Sequence, residues 1–417
     1  MPRLALLRLI AQFGDGMFQA ALSGAILFNP EREADPLAIA AGFAVLLLPY
    51  SVLGPYAGAL LDRWDRRSVL LVASIARAVL IGAAAIGLCF GVGETPLLIL
   101  ALATVGVSRF VLAGVSAALP QVLEQRWLVP MNSVLATVAS ACAGIGAAAS
   151  VAVIALIGPG DAGSAVAVGL SGIGSLVGAM LAYGFRPHVL GPDRGSADTE
   201  STVHAIAAGL RTGARAVWHS VQVTTAMIGI GAHRIVFGMN TLIMVLVLRA
   251  PTDSEMSGGL VGFGVVIVVI AAGMLVAALA APILIPRLGR PRTVLLGLTT
   301  ALIVQLTLVT PIALATGSAV DNAHRLLLVG AFGLGVAGQT IKLTGDASMQ
   351  IDIPDDQRGQ VFALQDTVFN ISFVLAIAVT ALVIPADGRS IGVVLAGAAV
   401  YAVGIAAIAF NSRRTVR

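Results

Sequence analysis

The amino-acid sequence predicts an all-α integral membrane protein with twelve transmembrane helices. The chain of 417 residues is 58% hydrophobic and only 11% charged, and its mean hydropathy is +0.96. Soluble domains contain about 25% charged residues, so this chain has too little charge to cover a surface that faces water. Its apolar segments are also continuous, whereas the strands of a membrane β-barrel alternate apolar and polar residues.

Twelve apolar segments are each long enough to cross a bilayer as a helix, which takes about 20 residues. The predicted spans are 4–28, 37–60, 69–92, 97–118, 133–157, 164–185, 221–248, 258–281, 293–316, 325–345, 363–385 and 390–410. The connections between them are short, except for the one that joins the sixth span to the seventh.

The long connection divides the chain into two halves. We predict a six-helix bundle over 1–185, a cytoplasmic linker over 186–220 and a second six-helix bundle over 221–417. The linker is polar at first and then has an apolar face at helical spacing, which predicts an amphipathic surface helix. The residues of that face are Val203, Ile206, Leu210, Ala214 and Val217.

The basic residues predict the orientation, because cytoplasmic loops are enriched in lysine and arginine. With the N-terminus inside, most of the 25 basic residues fall on the cytoplasmic side. Only Arg32, Arg249, Arg325 and Arg389 fall on the other side. Both termini are therefore expected to be cytoplasmic, and the number of spans is expected to be even.

The loop between the second and third spans has a weak copy between the eighth and ninth. Superposing the two loops places Arg63 on Arg287 and Arg66 on Arg290. Such a repeat is typical of carriers built from two related halves.

The first of these loops resembles the signature of the major facilitator superfamily, in which a glycine precedes an Asp-Arg pair, a second glycine and two basic residues. The matching residues are Gly58, Asp62, Arg63, Arg66 and Arg67, and Asp65 replaces the second glycine. The resemblance implies two pseudo-symmetric six-helix bundles that alternate access to a central site. The matching residues are accordingly predicted to form a cytoplasmic gate motif, in which Asp62 accepts hydrogen bonds from a helix N-terminus or pairs with an arginine.

A second stretch, 353–362, lies between the tenth and eleventh predicted spans. It resembles the loop at that position in the efflux branch of the superfamily, which includes macrolide and siderophore exporters. In contrast, the fifth-helix motif that is typical of antiporters is absent, and only Gly144 and Gly146 remain there.

Polar and ionisable residues inside the predicted spans indicate a cavity, because they are costly in lipid. In the superfamily, helices 1, 4, 7 and 10 line the central cavity, and all four carry such residues here. The predicted proton-coupling or substrate residues are Asp15, Gln12, Gln19, Arg109, Arg234, Gln339 and Lys342.

Asp15 is the main candidate, as a proton-coupling or substrate-cation residue with Arg109 or Arg234 as its counter-ion. The alternative is a static buried ion pair that only orders the helices. Arg77 falls on a helix that should be peripheral and is interpreted as a snorkelling or paired structural residue.

These observations predict a secondary active transporter that works by alternating access. Our preferred interpretation is proton-coupled efflux of a small amphipathic or cationic compound, based on the loop around Pro354. The alternative is a proton-coupled uptake symporter for an anionic metabolite, favoured by the missing antiporter motif and two cavity arginines. A further alternative, from a different functional class, is a non-transporting or lipid-scrambling membrane protein.

The expected partners are a small-molecule substrate, protons and the lipid bilayer. The net charge of +4 is attributed to loops that face anionic lipid and not to nucleic acid. The chain contains no phosphate-binding motif and no metal-ligand spacing, so we expect no enzymatic activity, cofactor or metal. We expect a monomer in the bacterial cytoplasmic (inner) membrane.

Overall fold

The computed structural model describes residues 2–27, 35–45, 64–158, 160–191, 202–249, 259–315 and 319–413. These residues contain thirteen helices and no strand. The first seven are α1 (Pro2–Leu27), α2 (Pro36–Val45), α3 (Arg66–Cys89), α4 (Glu94–Val122), α5 (Gln125–Ile157), α6 (Asp161–Tyr183) and α7 (Thr202–His219). The others are α8 (Val221–Arg249), α9 (Gly259–Leu288), α10 (Arg290–Leu314), α11 (Ala319–Asp352), α12 (Asp355–Ala381) and α13 (Ile391–Ser412).

Ten of the helices in the described ranges, α3–α6 and α8–α13, are long and apolar enough to cross a membrane. Their exposed side chains are also apolar, as with Val79, Leu279 and Val403, which suits contact with lipid. The prediction of an all-α membrane protein is therefore confirmed. The number twelve stays a prediction, since α1 is not among the ten and the predicted span 37–60 continues beyond the described residues of α2.

The ends of several helices have local causes in the sequence. The side chain of Ser390 accepts a hydrogen bond from the backbone N–H of Val393 at the start of α13, as a helix N-cap does. Gly158 and Gly289 have positive φ angles of 120° and 77°, which glycine adopts without steric cost. They end α5 and separate α9 from α10.

α10 is interrupted by one turn of π-helix at Gln305–Val309. Thr310 donates a hydrogen bond from its Oγ1 to the carbonyl of Gln305 at 3.0 Å. A π turn inside an α-helix is rare and often marks a functional site.

The chain forms two compact units, Met1–Glu33 with Ala41–Ile206 and Ala34–Ala40 with Ala207–Arg417. In the first, α1 packs on α5 and α6, and α3 packs on α4 and α6. In the second, α8 packs on α11, α12 and α13, and α11 also packs on α9 and α10. The predicted domain bounds 1–185, 186–220 and 221–417 stay a prediction.

The predicted linker helix is present as α7. Among the residues of α7 whose burial the structure describes, Gly213 is buried, and an added Cβ there would lie 2.9 Å from the carbonyl oxygen of Gln360 in α12. Ala214, which we predicted on the apolar face, is exposed. The side chains of Val203, Ile206 and Leu210 lie outside the described residues.

Candidate functional site

Asp15 on α1 is held by three side chains of the first unit. Its Oδ1 pairs with Nη2 of Arg77 at 2.8 Å and accepts a hydrogen bond from Oγ of Ser108 at 2.8 Å. Its Oδ2 accepts from Nε2 of Gln12 at 3.2 Å. The side chain of Arg77 is 1% exposed and that of Asp15 is 14% exposed. A buried arginine therefore pairs with a carboxylate that keeps some access to solvent.

Small residues let α1 lie close to α6 beside this ion pair. A Cβ added at Gly14 would lie 3.0 Å from the carbonyl oxygen of Ser171 and 3.5 Å from Nη2 of Arg77. A Cβ added at Gly174 would lie 3.0 Å from the carbonyl oxygen of Ile10. Glycine lets helix backbones approach closely, so Gly14 leaves the space that the Arg77 guanidinium occupies beside Asp15.

The α1–α5 contact is equally close. A Cβ at Gly16 would collide with the carbonyl of Ala143, and a Cβ at Gly146 would collide with the carbonyl of Phe13. Gly146 remains from the region of the antiporter motif and therefore has a packing role here. Gly144, two residues earlier, meets no atom within 4 Å.

Asp15 has a close partner that was not among the two counter-ions suggested by the sequence. Arg77, which we predicted on a peripheral helix, makes the 2.8 Å contact with Asp15. Arg109 is half-buried and interacts electrostatically with Asp15, whereas Arg234 belongs to the other unit. Gln19 is half-buried on the same helix as Asp15. The signal for Arg77 was present in the sequence, as a charge in the middle of an apolar helix.

Arg234 on α8 is held by aromatic rings. Its guanidinium carbon lies 3.6 Å from the ring centre of Phe369, 4.6 Å from that of Phe373 and 5.3 Å from that of Phe237. Its Nε donates a hydrogen bond to the carbonyl of Phe369 at 3.2 Å. The three rings stabilise the cation through their electron-rich faces. We call Arg234 with Phe237, Phe369 and Phe373 the arginine clamp.

His233, next to Arg234, has a packing role. The ring is buried, and its Nδ1 lies 3.2 Å from the hydroxyl oxygen of Tyr401. A Cβ at Gly338 would collide with the other ring nitrogen. The histidine therefore ties α8 to α13 and α11.

Of the two residues predicted on α11, Lys342 forms an ion pair within its own helix. Nζ of Lys342 pairs with Oδ2 of Asp346 at 2.8 Å, and Nε2 of Gln365 donates to Oδ1 of Asp346 at 2.8 Å. The lysine side chain is 39% exposed, so water weakens this pair. Gln339 is half-buried one turn before Lys342 on the same helix.

A buried amide pair in the second unit escaped the sequence-based prediction. Nδ2 of Asn240 donates to Oε1 of Gln305 at 2.7 Å, and Nε2 of Gln305 donates back to Oδ1 of Asn240 at 3.2 Å. Gln305 is fully buried and is the first residue of the π turn. A glutamine within an apolar span was the available signal.

Within the predicted gate motif, the structure describes Arg66 and Arg67, while Gly58, Asp62 and Arg63 lie outside the described residues. Arg66 donates from Nη1 to the carbonyls of Ala117 and Leu190 at 2.9 and 3.3 Å. Arg67 donates from Nη2 to the carbonyl of Tyr183, the last residue of α6, at 3.2 Å. A cation at a helix C-terminus is stabilised by the helix dipole, so Arg67 fastens the end of α6. Arg66 instead ties the start of α3 to α4 and to the segment that follows α6.

Asp65, which replaces the second glycine of the signature, has a clear structural role. Its Oδ2 accepts hydrogen bonds from N and Oγ of Ser68 at 3.3 and 2.7 Å, which caps α3. Its Oδ1 accepts from the backbone N–H of His188 at 3.2 Å. His188 has a φ of 63°, which is unusual for a residue with a side chain, and the Asp65 hydrogen bond supports it.

The second copy of the loop uses its arginine differently. Arg290 is the first residue of α10, as Arg66 is the first residue of α3. Its Nη1 pairs with Oδ2 of Asp352 at the end of α11, at 2.9 Å. The two copies therefore share the position of the arginine, and the partners include backbone carbonyls for Arg66 and a carboxylate for Arg290.

Comparison with known proteins gives the family. A model of the Major Facilitator Superfamily matches residues 4–377. Two proteins described as uncharacterized MFS-type transporters, from Mycobacterium bovis and Mycobacterium tuberculosis, are each 42% identical over 420 residues. The alignments cover 99% of this chain and 91% of each relative.

Solved transporter structures share the fold. The nucleoside transporter NupG has a TM-score of 0.66 at 14% identity, with 98% of each chain covered. A bacterial homologue of the iron transporter ferroportin, in an inward-facing state, has a TM-score of 0.66 at 17% identity, covering 99% of this chain and 98% of the other. The family model, the mycobacterial relatives and this shared fold together show that the chain belongs to the major facilitator superfamily.

Proposed function

We propose that the protein is a proton-coupled secondary transporter in which Asp15 carries the coupling proton. The observation that supports this proposal is the contact of a partly exposed carboxylate with a buried arginine, at 2.8 Å. Such a carboxylate can exchange a proton with water, and its charge determines whether Arg77 has a partner.

Protonation of Asp15 changes the balance of forces between α1 and α3. The ionised carboxylate neutralises Arg77, and a buried charge without a partner is costly in a medium of low dielectric constant. After protonation, an arrangement in which Arg77 reaches water or another anion becomes relatively more stable. A proton can shift the population between two conformations in this way, which is what alternating access requires.

For the direction and the substrate, we propose export of a small amphipathic compound from the cytoplasm of a bacterium. The direction rests on the resemblance of residues 353–362 to the efflux branch. The protein would work as a monomer in the cytoplasmic membrane with both termini inside. Of the substrates that we predicted, we favour an amphipathic compound over a purely cationic one, because rings and a backbone carbonyl, with no carboxylate among the described residues, hold Arg234.

Uptake of an anionic metabolite with protons is the second candidate. Arg234 favours it, because this cation is held by rings and a backbone carbonyl, with no carboxylate partner among the described residues. A fixed cation of this kind suits an anionic substrate.

Proton movement in proteoliposomes tests the proposal. The internal pH is recorded while a compound panel is added to the native protein and to Asp15→Asn, with protein orientation determined by protease accessibility. We expect a compound-dependent pH change in the native protein that Asp15→Asn abolishes. Ser23→Ala is the matched control, since Ser23 lies two turns along the same helix with its hydroxyl bonded to the carbonyl of Gln19 at 2.8 Å, and we expect coupling to persist in it.

The dependence on membrane potential separates the two candidates. Exchange of one proton for one monoanion moves two charges per cycle, whereas symport of one proton with one monoanion moves none. Transport that responds to an imposed potential therefore supports exchange. Compound transport that continues unchanged in Asp15→Asn contradicts the proposed role of Asp15, and lipid movement without any compound or proton transport contradicts the transporter proposal.

A further inference from the structure

The guanidinium group of Arg234 is held by aromatic rings on its faces, while the edge formed by its two terminal nitrogens is available to a ligand. The rings of Phe369, Phe373 and Phe237 lie within 3.6 to 5.3 Å of its guanidinium carbon, and only Nε makes a hydrogen bond, to the carbonyl of Phe369. In the part of the chain that the structure describes, the two terminal nitrogens have no acceptor.

The packing of α8 on α12 fixes the position of this group. Gly231, Arg234 and Gly238 follow one face of α8 at spacings of three and four residues. A Cβ at Gly238 would lie 2.7 Å from the carbonyl oxygen of Phe373, and one at Gly231 would lie 3.8 Å from the side chain of Val368. The two glycines therefore bring the backbone of α12 within reach of Nε of Arg234.

The rings around the arginine support each other. Phe237 and Phe373 lie 5.9 Å apart between ring centres, and Phe237 lies 5.9 Å from the buried ring of His233. Little side-chain entropy remains to be lost when a ligand binds a group that is already held in place.

We infer that the arginine clamp binds the carboxylate or phosphate group of an amphipathic substrate, with the phenylalanine rings contacting the apolar body. A guanidinium binds such groups through two parallel N–H···O bonds along one edge. Nε is engaged, so the two terminal nitrogens are the pair that remains. Arg234 is half-buried, so an anion can reach it while competing water is partly excluded.

The partners of Arg234 favour a binding role over simple packing. A static buried arginine is normally neutralised by a carboxylate, as Arg77 is by Asp15. Arg234 instead retains its charge against aromatic faces. The inference deepens the proposed function, since it names the charged group of the transported compound, but it describes binding and does not depend on proton coupling.

Binding of three matched compounds to the purified protein tests the inference. Indole-3-acetate, indole-3-acetamide and tryptamine share one aromatic body and differ in charge. Their affinities are measured by isothermal titration calorimetry for the native protein, Arg234→Gln and Arg234→Lys. Arg215→Gln is the control, because Arg215 is an exposed arginine of the same unit.

We expect the native protein and Arg215→Gln to bind indole-3-acetate in preference to the amide and the amine. Charged hydrogen bonds contribute about 1.5–3 kcal/mol, so Arg234→Gln should weaken binding of the acetate by about 10- to 100-fold. Arg234→Lys should keep part of the affinity, because it keeps the charge and loses the two-bond geometry. This variant also provides the test if Arg234→Gln does not fold.

Equal affinity for the acetate and the amide overturns the inference, and so does acetate binding that Arg234→Gln and Arg234→Lys leave unchanged. Failure of the native protein to bind any of the three compounds at millimolar concentration overturns it as well. Binding of indole-3-acetate without any proton movement driven by it supports anion binding at the arginine clamp and contradicts proton coupling through Asp15. The two proposals can therefore fail independently.

Discussion

Arg77 in the first unit and Arg234 in the second lie near the middle of apolar helices, and they are stabilised by different kinds of partner. Arg77 faces the carboxylate of Asp15 at 2.8 Å. Arg234 faces three phenylalanine rings and one backbone carbonyl. A carboxylate can lose its charge to a proton, whereas rings and a carbonyl cannot. Arg77 therefore has a partner whose charge a proton can remove, and Arg234 has partners that carry no charge to lose.

The pair in the first unit gives the largest expected effect. Arg77→Gln leaves Asp15 without its closest cation, and breaking a buried ion pair lowers the free energy of unfolding by about 3–5 kcal/mol. Combining it with Asp15→Asn removes both charges and should restore most of that stability. Thermal unfolding of the single and double variants in detergent measures the coupling, and equal losses in all of them would contradict an ion pair that stabilises the unit.

The clamp in the second unit depends on the close approach of α8 and α12. In Gly238→Ala, the new Cβ would lie 2.7 Å from the carbonyl oxygen of Phe373. Overpacking of this kind costs about 1–3 kcal/mol and should weaken the binding of indole-3-acetate. Gly264→Ala is the matched control, because a Cβ there meets no atom within 4 Å. Identical stability and affinity in the two variants would show that the approach of the helices does not hold the clamp.

The ring nearest to Arg234 should have a smaller effect. Phe369→Leu keeps the backbone carbonyl that Nε binds and removes the ring face at 3.6 Å. A cation–π contact contributes about 0.5–2 kcal/mol, and stability should fall by that amount in the same unfolding assay. Phe410→Leu, at a side chain that is 72% exposed, is expected to change little. A loss in Phe410→Leu as large as that in Phe369→Leu would contradict the clamp.

The exposed ion pair of the second unit should have the smallest effect. Lys342 and Asp346 are 39% and 22% exposed, and pairs in water contribute about 1 kcal/mol or less. Lys342→Gln is therefore expected to lower the unfolding free energy by no more than that. A loss similar to that of Arg77→Gln would show that burial does not explain the difference between the two pairs.

Much of the fold was predictable because a membrane helix must be apolar along its length. The predicted spans 164–185 and 390–410 agree within three residues with α6 and α13. Agreement is poorer where a helix continues past its apolar part. The prediction of 325–345 fell short of α11, which reaches Asp352 and includes the polar residues Asp346 and Gln350. Hydropathy indicates the part of a helix that suits lipid, and polar residues at its ends remain helical.

The contacts within the candidate site depend on packing that the sequence does not contain. Gln12 and Asp15 lie three residues apart on one helix and are hydrogen-bonded at 3.2 Å. The 2.8 Å contact of Arg77 with Asp15 was missed, because the prediction took the helix of Arg77 to be peripheral. The depth and rotation of one helix against another depend on the packing of small residues such as Gly14 and Gly174, and the spacing within a single helix contains no information about them.

The measurement that tests the central claim most directly is an infrared titration of the carboxyl groups, comparing native protein with Asp15→Asn in lipid. We predict a protonated-carboxyl band that grows as the pH falls through the range in which transport is coupled, that is missing in Asp15→Asn, and that changes when a transported compound is added. Proton-coupled transport that proceeds in the native protein while no band assigned to Asp15 changes would contradict the account.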